Sequence, residues 1–159
     1  MDLQALYLRS DGRISRKTWW IGTLILFVVT LVIYFVLGLV GLGTANRWGP
    51  LIGYLIVVYP TLNLGTKRRH DRDSNGNDYR ILVGLYAVST LLQALGIGYT
   101  ATDVGNGTMM MMPDTWMGIV MVIVGLYGLY MLVQLGFLRG TNGSNSYGAD
   151  PVLGAAYTA

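Results

Sequence analysis

WWIGTLILFVVTLVIYFVLGLVGL, from Trp19 to Leu42, contains no charged residue over 24 positions. A bilayer core of about 30 Å needs roughly 20 helical residues, so this stretch predicts a membrane-spanning helix. Its apolar run far exceeds the roughly 7 to 15 residues of a secretion signal, which argues against the cleavage reading that Gly43 and Ala45 invite. Working outward, three further apolar stretches follow: Trp48 to Leu64, Ile81 to Tyr99 and Trp116 to Leu138. The 53% hydrophobic and 12% charged composition agrees, since soluble domains carry about 25% charged residues. Runs of this length read as helices and not as the short alternating strands of an outer-membrane barrel. The expected fold is therefore all-α: a single domain over residues 1–159, built as a four-helix transmembrane bundle with spans at about 19–42, 48–64, 81–99 and 116–138.

Charge placement sets the expected orientation. Arg9, Arg13, Arg16 and Lys17 precede the first span, and Lys67, Arg68, Arg69, Arg72 and Arg80 sit between the second and third, together nine of the eleven basic residues. Basic flanks face the cytoplasm. This places the arm 1–18, the loop 65–80 and the tail 139–159 inside, with both termini cytoplasmic. Trp19, Trp20, Trp48 and Trp116 mark span ends, at the headgroup level. Ser15 is a candidate cap for the first helix, and Pro50 suits the first turn of the second. Pro60 lies inside the second span, where it removes a backbone donor, so a kink is expected there. Gly49 and Gly53, and Gly118 and Gly125, permit close approach of helices, read as packing within the bundle in preference to a homodimer face.

Three polar motifs fall on the predicted cytoplasmic side: GRISRKTWW (Gly12 to Trp20), KRRHDRDSNG (Lys67 to Gly76) and GTNGSNSYGADP (Gly140 to Pro151). The chain thereby resembles a bacterial inner-membrane family known as domain of unknown function 805, the YhaH-like proteins. Gly12, Arg13, Ser15, Arg16, Trp19 and Trp20 carry the first part of the resemblance. Pro60, Arg68, His70, Asp71, Arg72 and Gly76 carry the second, and Asn145, Tyr147, Gly148, Asp150 and Pro151 the third. The family usually has an aromatic after His-Asp, where this chain has the polar run Asp73 to Asp78. The resemblance implies an inner-membrane location and four helices, and brings no established activity with it.

Chemistry narrows the function classes. There is no cysteine and no glutamate; all eight acidic residues are aspartates. His70 is the single histidine, too few donors for a metal site, so it is read as part of a structural clasp with Asp71 and an arginine of the first motif. The glycine-rich tail offers backbone amides to an anion, but a tail folded under the bundle by Tyr147 is the plainer reading, because no lysine and following helix complete a P-loop. Met109 to Met112 suggest copper(I), yet on a helix only Met109 and Met112 share a face, and an interfacial apolar segment ahead of a helix begun by Pro113 is favoured. No nucleophile and base pair is visible, so no enzyme is expected, and no cofactor or metal. Candidate polar groups inside the spans are Thr23, Thr30, Ser89, Gln93, Tyr127 and Gln134. The expected function is a non-catalytic scaffold or accessory subunit of a membrane complex. It would dock anionic lipid, another membrane protein or a second copy, and no nucleic acid, through Arg13, Arg16, Arg68, Arg69, His70, Asp71, Arg72, Tyr147 and Asp150. The alternative is a small transporter or channel.

Overall fold

The computed structural model describes residues 2–105 and 107–152. Met1, Asn106 and the last residues of the tail, 153–159, lie outside the described residues, so both chain ends do too. In chain order the elements are helices α1 (Leu3–Leu8), α2 (Arg16–Leu39), α3 (Gly49–His70) and α4 (Asn77–Leu95), strands β1 (Tyr99–Asp103) and β2 (Met109–Pro113), and helix α5 (Thr115–Leu132), which continues as a π-helical segment, Val133–Phe137.

The starts of the helices follow local chemistry. Asp2 accepts from the amides of Gln4 and Ala5 at 2.9 and 3.1 Å, and Ser15 accepts from that of Thr18 at 3.2 Å, satisfying donors that a first turn leaves open. Pro50 sits in the first turn of α3, where its missing donor costs nothing. Gly76 and Gly96 flank α4 in the left-handed region, with φ 75° and 73°, which a side chain would resist.

α2, with 24 residues, and the combined helix Thr115–Phe137, with 23, are long and apolar enough to cross a membrane. Their outer faces are bare: Leu24, Phe35, Val122 and Leu126 are each more than 60% exposed. Soluble proteins rarely show apolar patches of that extent. α3 and α4 are more mixed, the first through Pro60, Thr61 and Asn63 and the second through Ser89, Thr90 and Gln93.

Three expectations are corrected. The chain is mostly helical and not all-α, because residues 99–113 form an antiparallel hairpin pairing Tyr99 with Pro113 and Asp103 with Met109. On a strand, side chains alternate, so Met109 and Met111 share one face and Met110 and Met112 the other; Pro113 ends β2 and Asp114 takes the N-cap position of α5. The predicted loop 65–80 is largely helix. α3 runs on to His70 through Pro60, α4 begins at Asn77, and only 71–76 connect them.

The core joins Leu6, Trp19, Leu64, Tyr79, Leu82, Val83, Val124, Met131 and Leu135. Hydroxyls on its flanks donate to backbone carbonyls of neighbouring helices: Tyr54 to Val83 at 2.6 Å, Tyr127 to Asp78 at 2.7 Å and Tyr79 to Thr61 at 3.2 Å. Gly49 closes on the Leu42–Gly43 backbone and Gly53 on the Tyr34 ring, as packing within the bundle requires; around Gly118 and Gly125 there is open space.

Candidate functional site: the basic end of the bundle

The last six residues of α3, Gly65 to His70, are all buried, including Lys67, Arg68, Arg69 and His70. Four cationic or titratable side chains inside a fold require partners, since an unpaired buried charge is very costly. Those partners come from the amino-terminal arm, the start of α4, the π-helical segment and the tail.

Arg68 is fully buried and Asp71 is 4% exposed. Arg68 donates through Nε to the Leu135 carbonyl at 2.7 Å, through Nη2 to that of Leu138 at 2.5 Å, and through Nη1 to Asp71 Oδ2. Burial disfavours its charged form and the adjacent Asp71 opposes that effect. Arg13 donates to the other carboxylate oxygen of Asp71 at 2.9 Å, and reaches the carbonyls of Gly143 at 2.9 Å and Thr141 at 2.7 Å. The Asp71 carbonyl in turn accepts from the Thr141 amide at 2.8 Å. A Cβ at Gly140 would collide with the Asp71 carboxylate, so the tail can pass only because that position is glycine. One aspartate thus ties together all three motifs.

The neighbouring cations act the same way. Arg69 holds Asp78 at 3.1 and 2.6 Å and donates to Gln134 Oε1 at 3.1 Å; Arg72 donates to that same oxygen. Lys67 donates to the carbonyls of Ala5 and Leu6, closing the end of α1; burial pulls its ammonium below the ordinary value, while Asp11 pulls the other way. His70 contacts the Gly12 carbonyl through Nδ1 at 2.9 Å, and since a carbonyl only accepts, Nδ1 carries the proton. Its ring stacks on Tyr147 with centroids 3.8 Å apart and planes 7° from parallel. Its pKa is lowered, chiefly by burial, so it is neutral at pH 7.

The tail amides are used internally. Asp150 accepts from the Gly143 amide at 3.0 Å and Asp73 from that of Ser146 at 3.1 Å, while Asn145 and Gly148 pair with each other. This occupies the amides that a phosphate cradle would need. The π-helical segment exposes carbonyls that Trp20 Nε1 takes at Gly136 and Arg16 at Phe137, both at 3.0 Å.

The structure therefore brings Arg13, Arg68, Arg69, His70, Asp71, Arg72, Tyr147 and Asp150 to one end of the bundle, with Arg16 at its rim. Arg68, Arg69, His70 and Asp71 are inward-facing, which removes them from an open docking surface. Sequence reading gave no site role to Thr141, nor to Asn145, which it named only as a motif position and whose side-chain amide donates to the His70 carbonyl at 2.8 Å, and it assigned Gln134 to the apolar interior. No alternation or spacing marks Gln134, because its role depends on where α3 ends. Among the described residues no group of three or more His, Cys, Asp or Glu is placed to hold a metal ion.

Comparisons with known proteins agree with this spread of motifs along the chain. The uncharacterized protein YiiR of Escherichia coli strain K12 is 28% identical over 151 residues, covering 94% of this chain and 90% of the relative, and its counterpart in Escherichia coli O157:H7 matches equally. No solved structure matches. The family profile described as protein of unknown function DUF805 matches residues 7–149, an interval that runs from the arm through the clasp to the tail, and the chain belongs to that family.

Proposed function

We propose that this protein is a four-pass bacterial inner-membrane module without catalytic activity, which docks another membrane protein or anionic lipid through its basic, cytoplasmic end. The observation that supports this most is the Arg13–Asp71–Arg68 clasp, which joins the arm, the end of α3 and the tail into one platform. A platform built by burying charges costs stability, and it gains a fixed arrangement of the cations that remain outside. Those are Arg9, Arg16, Lys17, Arg80 and Arg139, all exposed. Each exposed cation near an anionic surface contributes about 1 kcal/mol before screening. The transporter reading has less support, because Gln134 serves the basic end and the interior then keeps few polar groups for a solute.

The test is purification in mild detergent with identification of co-purifying chains, followed by charge reversal at Arg9, Lys17 and Arg80. Retention of a specific chain should fall in the variants and fall further as salt rises, since exposed contacts are screened over about 8 Å at physiological ionic strength. Retention indifferent to both, or saturable solute flux by the protein in proteoliposomes, would overturn the docking reading.

A further inference from the structure

Two cavities flank α2: one where its start meets the arm and the tail, the other in the seam where α2 and α5 open over α3 and α4. The first, of about 390 Å³, is lined mainly by polar residues, among them Arg13, Arg16, Arg139, Asp71 and Asp150. The second, of about 350 Å³, is a mainly apolar groove whose lining includes Trp19, Leu26, Phe27, Gly128, Met131 and Leu135. The two linings are adjacent on both elements. Arg16 and Trp19 are three residues apart on α2, about 4.5 Å along the axis, and Leu135 and Arg139 are four apart on the other side of the seam. Trp20 of α2 and Phe137 of the π-helical segment pack ring against ring at 5.8 Å, and both are exposed.

The charge balance of the polar cavity favours an anion. Asp71 is already held by Arg13 and Arg68, and Asp150 accepts from the Gly143 and Val152 amides. Arg16 makes a single hydrogen bond, to Phe137, and Arg139 makes no hydrogen bond or ion pair among the described residues. Two guanidiniums at the mouth of a polar cavity suit a phosphate diester, which Arg binds through paired donors. An apolar groove one turn away, level with the tryptophan belt, suits an acyl chain.

From this juxtaposition we propose that the α2–α5 seam is a binding site for one anionic phospholipid, its phosphate between Arg16 and Arg139 and one acyl chain in the groove beside Trp19. This rests on the membrane reading above and narrows it from a diffuse basic face to a single site. A free phosphate would use the same arginines but leave the groove unused.

The experiment uses the full chain in nanodiscs, with Trp48→Phe and Trp116→Phe so that only Trp19 and Trp20 report. Phosphatidylglycerol with brominated acyl chains, which quench indole fluorescence on contact, is added as a minor component of phosphatidylcholine, and the brominated phosphatidylcholine serves as reference. The expected result is quenching by brominated phosphatidylglycerol about fivefold stronger than by the same fraction of the reference lipid. Arg16→Gln with Arg139→Gln should bring the two lipids level, and Gly128→Leu should lower quenching by both. If the double variant has a lowered melting temperature, Arg139→Gln alone serves, since Arg139 has no structural bond to lose among the described residues. Equal quenching by the two lipids in the parent, or a preference that survives Arg139→Gln in a folded protein, would overturn the site. Loss of the preference on adding inorganic phosphate would reassign it to a soluble anion. A preference that persists where no partner chain is retained sustains the lipid site and dismisses only the docking of a protein.

Discussion

At the scale of single residues, the basic end depends on acceptors more than on cations. Asp71 compensates two arginines, and Arg68 has no exposed surface through which water could replace it. Asp71→Ala should therefore destabilise the protein by about 3–5 kcal/mol, the range for breaking a buried ion pair, whereas Asp103→Ala on the exposed hairpin should stay within about 0.5 kcal/mol. Melting temperature in detergent distinguishes them, and equal values would dismiss the clasp. Gln134 gives a second contrast. Gln134→Leu strands donors of Arg69 and Arg72 and should cost about 1.5–3 kcal/mol, the range for hydrogen bonds to charged groups. Gln93→Leu should be close to neutral, because the Gln93 side chain has no hydrogen bond among the described residues. His70 adds a pH dependence. Its folded pKa is lowered, so the unfolded chain binds the proton more readily; its contribution is present above the ordinary value of 6.5 and lost as pH falls through the lower folded value. The drop in melting temperature between neutral pH and pH about 5 should shrink in His70→Gln. An unchanged drop would show that other groups govern acid sensitivity.

At the scale of elements, α3 decides the architecture, because it joins a mixed apolar stretch and the buried cationic turn in one helix, Gly49–His70. Gly65 lies at the junction, where the Tyr79 ring of α4 occupies the space a Cβ would take. Gly65→Ala must push that ring or part the helices, at about 1–3 kcal/mol for overpacking, despite the gain in helix propensity. Gly84→Ala, which meets nothing within 4 Å, is the control and should stabilise or leave the melting temperature unchanged. If both variants gain stability alike, the close packing of α3 on α4 is not limiting. The cationic turn itself was legible as a motif but not as a helix. Lys67 to His70 read as a solvated loop because four consecutive polar side chains have no apolar stripe. They remain helical because each finds a carbonyl or carboxylate on a different neighbour, an arrangement that needs α1, the π-helical segment and the tail in place.

At the scale of the whole molecule, the proposed topology makes a direct prediction. Reporters fused after Ala159 and inserted at Asn75 should remain cytoplasmic, and one inserted near Asn106 should be exported, because nine of the eleven basic residues lie in the arm and the α3–α4 region. An exported carboxyl-terminal reporter would exclude four crossings. The two outer helices, α2 and α5, leave broad apolar faces uncovered and meet mainly at the π-helical segment, so the seam between them widens away from the basic end. That widening is what places an apolar groove beside a basic cavity.

By itself, the sequence determined the helices of the apolar runs, the Ser15 cap and the first-turn Pro50, and the three polar motifs, because hydropathy over 20 residues and local donor satisfaction are short-range properties. It also paired Asp71 with an arginine of the first motif, since charge next to a membrane must be compensated, and the structure shows that this arginine is Arg13. The hairpin at 99–113 escaped it, because a methionine run has no period to distinguish strand from helix. Only the tertiary structure decided which cations turn inward and which face out. Arg68 and Arg139 are the same residue type, each just past an apolar run, and their burial differs with the carbonyls and carboxylates that folding brings to them. Arg68 meets Leu135, Leu138 and Asp71, from segments up to 70 positions away, while Arg139 meets none among the described residues. Such long-range satisfaction of donors leaves no local trace in the chain.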